Sequence, residues 1–350
     1  MGCGLSGFGW IKVTRREGWP RASFPTVVFQ VRLEQRSVID RSGVLTFRYM
    51  TMGLQGAVER PWWRLLPAFL IATMGLYAAI PSGLAAAELK PKTVQAFNQY
   101  VALAEARMKR DESHPDAFLY IESLPKSEYE SILKSLRRGD GFVQQIQTQA
   151  PGKDSFDVPD GMIHHWVGDV FIPGKSVTSA LDILRDYDNF KNIYNPEVVR
   201  SRLVGRVDNN DYKVYMRLQK KSVVTVTLDT WYDIHFTPVG NDSGYSRSVS
   251  NRIQQVDDAG TPHERLEPVG NDSGYLWRIN SYWRYQKRDN GVIIEWESIS
   301  LSREVPFLVA WFANPLIRRI AREAVTDMLT ATRKAVLTEK RQNEQAHSSQ

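Results

Sequence analysis

The feature that most restricts the fold is a long amphipathic helix that follows a run of strand-like segments. From about Phe307 to Leu337 apolar residues step by three and four, and basic residues occupy the opposite side. So wide an apolar stripe needs a large apolar surface to cover it, and the preceding strands supply the only candidate. The predicted fold class is therefore α+β, with an antiparallel β-sheet packed on a long C-terminal α-helix.

The strands predicted ahead of that helix are separated by clear turn signals. Two β-rich segments come first, and a helix is predicted over Ser176–Tyr187 before the others. The predicted strands are Phe142–Thr148, Met162–Ile172, Val198–Val207, Tyr212–Gln219, Val223–Phe236, Ser246–Val256, Tyr275–Lys287 and Gly291–Ser302.

The stretch before the first strand has helical spacing. Phe97, Val101, Ala104 and Met108 recur on one face of a helix. We predict a helical preface over residues 88–140, a sheet-and-helix domain over residues 141–338, and a disordered tail over residues 339–350.

Residues 50–87 have the three parts of a secretion signal. Arg60 and Arg64 precede an uncharged run from Leu65 to Ala87, which ends in small residues of the A-x-A type. We expect export to the periplasm or beyond, with a working chain that begins near Glu88 and residues 1–49 as non-native upstream sequence. Two alternatives stay open: residues 65–87 as a membrane anchor, and a myristoylation pattern at Met1–Ser6.

The excess of basic over acidic residues in the whole chain comes from this N-terminal part. Residues 1–87 hold ten of the 45 basic and four of the 39 acidic residues, which leaves 35 of each in residues 88–350. A neutral working chain gives no support for nucleic-acid binding. The single cysteine, Cys3, precedes the signal, so neither a disulfide nor thiol chemistry is expected in the exported part.

An octapeptide occurs twice. Residues 238–245 and 268–275 both read Pro-Val-Gly-Asn-Asp-Ser-Gly-Tyr. Two copies are too few for a solenoid, and the carboxylates are too few for a calcium site. We interpret the copies as turn-rich lead-ins to strands.

The pair Asn290-Gly291 predicts a type I′ hairpin whose partner residues sum to 581, so that Arg284 lies opposite Glu297. One side of the hairpin is then aromatic and is expected to face the long helix. The other side carries Arg284 and Glu297 and is expected to face solvent as an ordinary cross-strand ion pair. The alternative is that this pair points into a cavity and binds a polar ligand group.

Bulky tryptophans alternate with serines on the side expected to face the helix. Such a mixture fills a core poorly and is typical of small-molecule pockets, although ordinary core packing stays open. The predicted cavity-lining residues are Trp231, Trp277, Ser281, Trp283, Trp296, Ser298, Trp311, Phe312 and Leu316.

The sequence gives no strong signal for catalysis, a metal or a cofactor. His164 and His165 are adjacent in a strand, so they point to opposite faces and do not chelate one metal. Asp229, Asp233 and His235 share one strand face and are the best acid–base candidates. We predict no catalytic residue, no metal ligand and no cofactor, and an enzyme is the less favoured hypothesis.

Several stretches resemble known proteins. His164–Gly174, Asp186–Phe190 and Leu276–Arg284 are similar to segments of exported bacterial members of the START-like helix-grip superfamily, which includes lipid-transfer and polyketide cyclase-like proteins. The resemblance covers about residues 141–337. It implies a sheet that curves around the C-terminal helix and leaves a cavity between them, with Ser176–Asn195 near its mouth.

The favoured hypothesis is an exported protein that binds or transfers an apolar or amphipathic small molecule, such as a lipid, an isoprenoid or a polyketide-like compound. Contact with a membrane surface during ligand exchange is part of this hypothesis. The alternatives are a cyclase- or hydrolase-type enzyme on the same scaffold, and an interaction module that docks through residues 89–139. The sequence leaves the oligomeric state open.

Overall fold

The computed structural model describes residues 87–112, 117–149, 156–222, 224–305 and 307–348, and in the last range it describes side chains for residues 314–338. The predicted signal segment and the residues before it lie outside the described residues. The helices are α1 Pro91–Glu112, α2 Lys126–Arg138, α3 Val177–Arg185, α4 Phe190–Ile193 and α5 Phe307–Ser348, with 3₁₀ turns at Tyr120–Ser123 and Tyr187–Asn189. The strands are β1 Ala87–Glu88, β2 Phe142–Gln145, β3 Gly161–Pro173, β4 Val198–Arg206, β5 Asp211–Lys221, β6 Thr225–Val239, β7 Ser243–Asp257, β8 Arg265–Leu266, β9 Asn271–Asp272, β10 Arg278–Arg288 and β11 Gly291–Arg303.

The main sheet is antiparallel and has nine strands. Eight of them follow the order β2-β3-β11-β10-β7-β6-β5-β4, β8 pairs with β7, and β1 and β9 form a separate small pair. Register shifts interrupt the β6–β7 pairing at Trp231/Tyr232 and the β4–β5 pairing at Val198/Arg200. Irregularities of this kind bend a strand and increase its twist. The sheet is accordingly curved.

Helix α5 packs on one face of this sheet, which we call the inner face. Its buried residues Val325, Leu329 and Val336 join one hydrophobic cluster with inner-face residues such as Ile172 and Ile294. The prediction of a curved sheet around a long C-terminal helix, a helix-grip arrangement, is confirmed. The helix was predicted to end near Leu337 and be followed by a disordered tail, whereas the structure continues it to Ser348.

The opposite, outer face of β3, β11 and β10 is covered by the preface. Phe97, Tyr100 and Ala104 of α1 pack against Ile299 and Leu301 of β11. The 3₁₀ turn after α1 and helix α2 pack against the other end of the same strands. The central strands are therefore buried on both faces, and the prediction that the Arg/Glu side of the hairpin faces solvent is wrong.

The predicted hairpin register is also wrong, by two residues. Arg284 pairs with Glu295, not with Glu297, and Arg288 pairs with Gly291, so the two loop residues are Asp289 and Asn290. Asp289 supplies the positive φ of 51° that the turn needs. Gly291 lies in the strand, where an added Cβ would stand 2.4 Å from the carbonyl oxygen of Ile172. Close strand packing, not the turn, therefore explains this glycine. A shift of two residues leaves the two faces of each strand unchanged.

The two copies of the octapeptide adopt different structures. The first copy contains the β6–β7 turn, where Val239 pairs with Ser243. The second copy contains β9, which pairs with β1 at the start of the described chain, and Leu89 donates its backbone N–H to the carbonyl of Gly270 at 2.7 Å. The interpretation of both copies as turn-rich segments agrees with the structure, but the second one also fixes the start of the preface.

Candidate ligand-binding site

The inner face is filled at one end and incompletely filled at the other. At the filled end Tyr285, Ile294 and Phe236 are at most 2% exposed beneath α3 and the C-terminal half of α5. At the other end the inner-face residues Ile279 and Trp283 remain half-buried at the margin of the same cluster. The inner face is therefore covered less completely at that end.

A pair of tryptophans lines this incompletely filled end. Trp283 and Trp296 are directly paired across β10 and β11, and their rings stack with centroids 5.6 Å apart at 23°. Both belong to the cluster that contacts α5. Parallel rings offer a flat apolar surface on which a ligand can bury area.

Hydroxyl groups occupy the next positions along the same strands. Ser248, Ser281 and Ser298 are consecutive cross-strand partners on β7, β10 and β11, and Trp166 of β3 continues the row. Ser248 and Ser298 are buried, and Trp166 is 7% exposed. The indole Nε1 of Trp166 has no hydrogen-bond partner among the described residues. This row, which we call the polar row, places unpaired hydrogen-bonding groups beside the tryptophan pair.

His164 lies at the edge of the same region. It shares a hydrogen bond of 2.9 Å with the Ser302 hydroxyl. Burial, and to a lesser degree the charge of Arg318, lowers the pKa of His164 to about 4. The imidazole is therefore neutral at physiological pH.

The predicted lining residues fall into three groups. Ser281, Trp283, Trp296 and Ser298 lie on the inner face as expected. The second group, Trp231 and Trp277, lies elsewhere. The third group lies on α5, where the side chains of Trp311 and Phe312 are outside the described residues and Leu316 is half-buried. Whether any of these residues touches a ligand stays a prediction.

Trp231 and Trp277 are the two tryptophans that the structure places away from α5. Trp231 lies on the outer face between the ring of Tyr215 and the guanidinium of Arg252, which is 4.5 Å from the indole centroid. Trp277 packs with the α1 cluster, and its Nε1 donates to Asp272 at 3.1 Å. Trp277 precedes β10, so the alternation of that strand does not fix its side.

Sequence reasoning missed Trp166, Ser246, Ser248 and Asn314. Trp166 follows the His164-His165 pair, and the alternation of β3 puts it on the side of His164. That signal was available in the sequence. The positions of Ser246 and Ser248 depend on which strand pairs with β10, and local pattern does not reveal this.

A cluster of charged residues is buried on the outer face beneath the preface. Arg284 and Glu295 form an ion pair of 2.8 Å with both side chains at most 1% exposed. Glu297 contacts Arg107 of α1 and lies 2.6 Å from Nε2 of His165. Burial alone would raise the pKa of Glu297, but the hydrogen bond from His165 and the nearby arginine charges outweigh it and hold this pKa at about 2.

Two further carboxyl groups in this cluster behave in the opposite way. Burial raises the pKa of Glu295, although Arg284 opposes the effect. Burial and the neighbouring Glu295 raise the pKa of Asp169 well above its ordinary value, and both Asp169 oxygens lack a partner. The pKa shifts of Asp169 and Glu297 therefore run in opposite directions, so Asp169 takes up a proton more readily than Glu297 does.

A hydrogen-bonded chain ties the preface to the sheet. Because Glu297 is an ionised acceptor, Nε2 of His165 is the donor, and Nδ1 of the same ring shares a hydrogen bond of 2.9 Å with the Tyr100 hydroxyl. That hydroxyl also accepts the backbone N–H of Thr148 at 2.8 Å. All three side chains are buried. The arrangement resembles a catalytic relay in composition, but it faces away from α5 and stabilises the packing of α1.

The predicted acid–base candidates on β6 are likewise paired on the outer face. Asp229 accepts two hydrogen bonds from Arg217, at 2.7 and 2.8 Å. Asp233 pairs with Lys213 at 2.7 Å, and His235 pairs with Asp211 at 2.8 Å. None of these pairs faces the space beneath α5. The enzyme alternative would need one of these residues to face the inner side of the sheet, and Asp229, Asp233 and His235 all lie on the outer face.

Two cavities lined by described residues lie outside the inner face. A groove of about 860 Å³ lies between α1 and the second octapeptide copy, with Leu89, Val94 and Val269 on its walls. A cavity of about 380 Å³ lies between Gln219 and the loop that holds Asp258. Within the described part of the chain no set of three or more His, Asp or Glu side chains is placed to hold a metal ion. The helices described here do not combine the length and apolar character of a membrane span.

Comparison with known proteins gives likeness in structure but not in sequence. No protein-family model and no curated protein matches the chain. A STAR-related lipid transfer protein from Xanthomonas axonopodis is 16% identical, covers 57% of this chain and 98% of its own, and has a TM-score of 0.33. Human STARD10 is 12% identical, with coverages of 65% and 86% and a TM-score of 0.37. The Zhui aromatase/cyclase from Streptomyces is 13% identical, with coverages of 52% and 96% and a TM-score of 0.30.

The fold of this chain is a helix-grip arrangement, as its own sheet order and C-terminal helix define it. At these identities and TM-scores the likeness concerns the fold alone. What those proteins bind or catalyse is a property of those proteins.

Proposed function

We propose that this protein binds and carries an apolar or amphipathic small molecule, of the lipid, isoprenoid or polyketide-like classes, between the inner face and α5. The observation that carries the proposal is the incompletely filled end of the inner face, where Trp283 stacks on the buried Trp296 and itself stays half-buried. Two stacked indoles favour an apolar body, because their contribution to binding is mainly buried area.

Carriage is favoured over catalysis by the position of the charged groups. The buried carboxylates Glu295 and Glu297 and the acidic residues Asp229 and Asp233 all lie on the outer face. The described side chains that the sheet presents on its inner face at the incompletely filled end are aromatic, aliphatic, hydroxyl or neutral imidazole groups. Such a lining binds a ligand without offering it an ionised acid or base.

Export is part of the proposal. The uncharged run Leu65–Ala87 and its A-x-A end support cleavage before Glu88. Cleavage there leaves Leu89 in place to bond Gly270, so the preface would keep its attachment. Intact-mass measurement of the protein recovered from an export-competent bacterial host tests this. A mass in the periplasmic fraction that matches a chain beginning at Glu88 supports export. An uncleaved chain in the membrane fraction supports residues 65–87 as a membrane anchor instead.

Native mass spectrometry of the purified full-length gene product, with extraction of bound small molecules, tests the carrier proposal. We expect a co-purifying apolar molecule that is lost in Trp283→Glu. The matched control is Trp231→Glu, since this half-buried tryptophan lies on the outer face. Retention of the molecule by W231E and loss from W283E would support the site.

Two other results would count against the carrier proposal or against this site. A clean apo mass, with no uptake from a lipid extract by the unmodified protein, would contradict the carrier proposal. Equal loss from both variants would place the ligand elsewhere or indicate unfolding, which circular dichroism of the same samples separates.

A further inference from the structure

The polar row is continuous across four strands. Ser248, Ser281, Ser298 and Trp166 are direct cross-strand partners in that order. Neighbouring strands lie about 4.8 Å apart, so the four side chains extend over about 14 Å at right angles to the strands. No hydrogen bond joins any of the three serine hydroxyls to another described residue. Among the described residues, the row is thus a set of evenly spaced hydroxyl and indole groups without a side-chain hydrogen bond.

Two buried polar atoms without partners lie in this row or next to it. They are Nε1 of Trp166 and Oγ of Ser246, and Oδ1 of Asn314 on α5 is a third buried atom of this kind. Ser246 is the neighbour of Trp283 across β7 and β10. Asn314 lies one helical turn before Arg318, whose charge acts on His164. Buried groups of this kind are almost always paired, so each one here calls for a partner outside the described protein atoms.

The polar row itself carries no charge. The described inner-face side chains around it are serine, tryptophan, isoleucine and His164, and burial keeps that imidazole neutral at physiological pH. Two arginines lie outside the row: Arg318 is exposed, and Arg185 lies over the ring of Phe236 with its buried Nε unpaired. A carboxylate or phosphate held against the row would have no cationic side chain within the row to pair with it, which is unfavourable for a buried charge.

We propose that the ligand held beneath α5 is an uncharged molecule with several oxygen atoms along one edge, which the polar row hydrogen-bonds while Trp283 and Trp296 contact its apolar face. This inference rests on the proposed function and narrows it. Simple hydrocarbons lack the oxygen atoms, and fatty acids and anionic headgroups carry the wrong charge. Trp166 Nε1 only donates, so the ligand presents a carbonyl, ether or hydroxyl oxygen there.

Three planar probes of similar size test the proposal on the full-length protein. They are 1,8-dihydroxyanthraquinone, which is neutral and oxygenated; anthracene, which is neutral and lacks oxygen; and anthraquinone-2-sulfonate, which is oxygenated and anionic. Any co-purified molecule is first extracted from the protein. Equilibrium dialysis then gives the dissociation constant of each probe. We expect the dihydroxyanthraquinone to bind at least tenfold tighter than either of the others.

Two variants separate polar recognition from apolar contact. Trp166→Phe removes the indole donor and keeps an aromatic ring. Ser298→Ala removes the hydroxyl of the cross-strand partner of Trp166. Each is expected to weaken binding of the dihydroxyanthraquinone about five- to tenfold and to leave anthracene binding within twofold. Ser222→Ala, at an exposed position in the β5–β6 turn, is the control and should change neither.

The possible outcomes distinguish this inference from the proposed function. Equal binding of anthracene and the dihydroxyanthraquinone, or tightest binding of the sulfonate, overturns the inference and leaves a carrier of apolar or anionic ligands. Equal weakening of both neutral probes by W166F also overturns it, since a packing defect would then be the cause. Failure of all three probes to bind, together with a clean apo mass, overturns the proposed function as well.

Discussion

Replacement of Arg284 by methionine tests the account of the buried charges under the preface. Arg284 is 1% exposed, its Nη1 lies 2.8 Å from Glu295 and 4.0 Å from Glu297, and Asp169 pairs with Glu295 on the next strand. Methionine keeps much of the volume and removes the charge. Loss of one partner from a buried ion pair costs about 3–5 kcal/mol, because the other partner is left uncompensated.

A loss of this size is easy to measure. For a domain of this size each kcal/mol shifts Tm by about 2–4 °C, so R284M is expected to melt about 6–20 °C lower. Urea unfolding followed by circular dichroism gives the free energy of unfolding directly. The control is Arg137→Met: Arg137 pairs with Asp289 at 2.6 Å, but both side chains are about half exposed. Its loss should cost about 0–1 kcal/mol.

The pH dependence of the cost provides a second check. The Arg284 charge lowers the pKa of both Glu295 and Glu297. Without it these carboxyl groups take up protons more readily, so the cost of R284M should be smaller at pH 5 than at pH 8. The double variant Arg284→Met/Glu295→Met should recover most of the stability, since no unpaired charge is left. A cost for R284M below about 1 kcal/mol at both pH values, equal to that of R137M, would refute this reasoning.

Three further changes test separate parts of the structure. Folding lowers the pKa of His164 from 6.5 to about 4, so the unfolded chain binds a proton at a higher pH than the folded chain, and the free energy of unfolding falls as the pH drops from about 6.5 to 4. His164→Gln should flatten the stability curve between these pH values. An unchanged slope would contradict the lowered pKa of His164. Gly291→Ala places a Cβ 2.4 Å from a carbonyl oxygen and should cost about 1–3 kcal/mol in urea unfolding. Gly205→Ala, whose nearest atom is 4.0 Å away, should change stability by less than about 0.5 kcal/mol, and equal effects would count against the register. Tyr100→Phe removes the acceptor of the Thr148 N–H and should cost about 1–3 kcal/mol, with faster hydrogen exchange at that amide; unaltered exchange would argue against the chain of bonds from Thr148 to Glu297.

Local pattern predicted the elements and their faces well. The strand β3 was predicted over Met162–Ile172 and runs from Gly161 to Pro173. The adjacent His164 and His165 point to opposite faces, as predicted, and meet Ser302 and Glu297 respectively. These features depend on the two-residue period of a strand, which each segment of sequence carries by itself.

Identical sequence gave different structure where distant contacts differ. The octapeptide forms a β6–β7 turn at residues 238–245, but at residues 268–275 it pairs with Ala87–Glu88. Inside the first copy Val239 pairs with Ser243, which is four residues away. In the second copy the partner strand is the start of the preface. The octapeptide does not contain the residues that decide between these outcomes.

Local sequence patterns are enough to give the order of the elements, the two sides of each strand and the need of α5 for a sheet to cover it. Long-range packing adds that the Arg284 side of the hairpin is buried, that Gly291 lies close against β3, and that Trp231 lies on the outer face. The difference comes from the range of the interactions involved. Alternation and helical periodicity follow from the local geometry of the backbone. Burial of a strand face depends on which remote element packs there, and here that element is a preface nearly two hundred residues earlier in the chain.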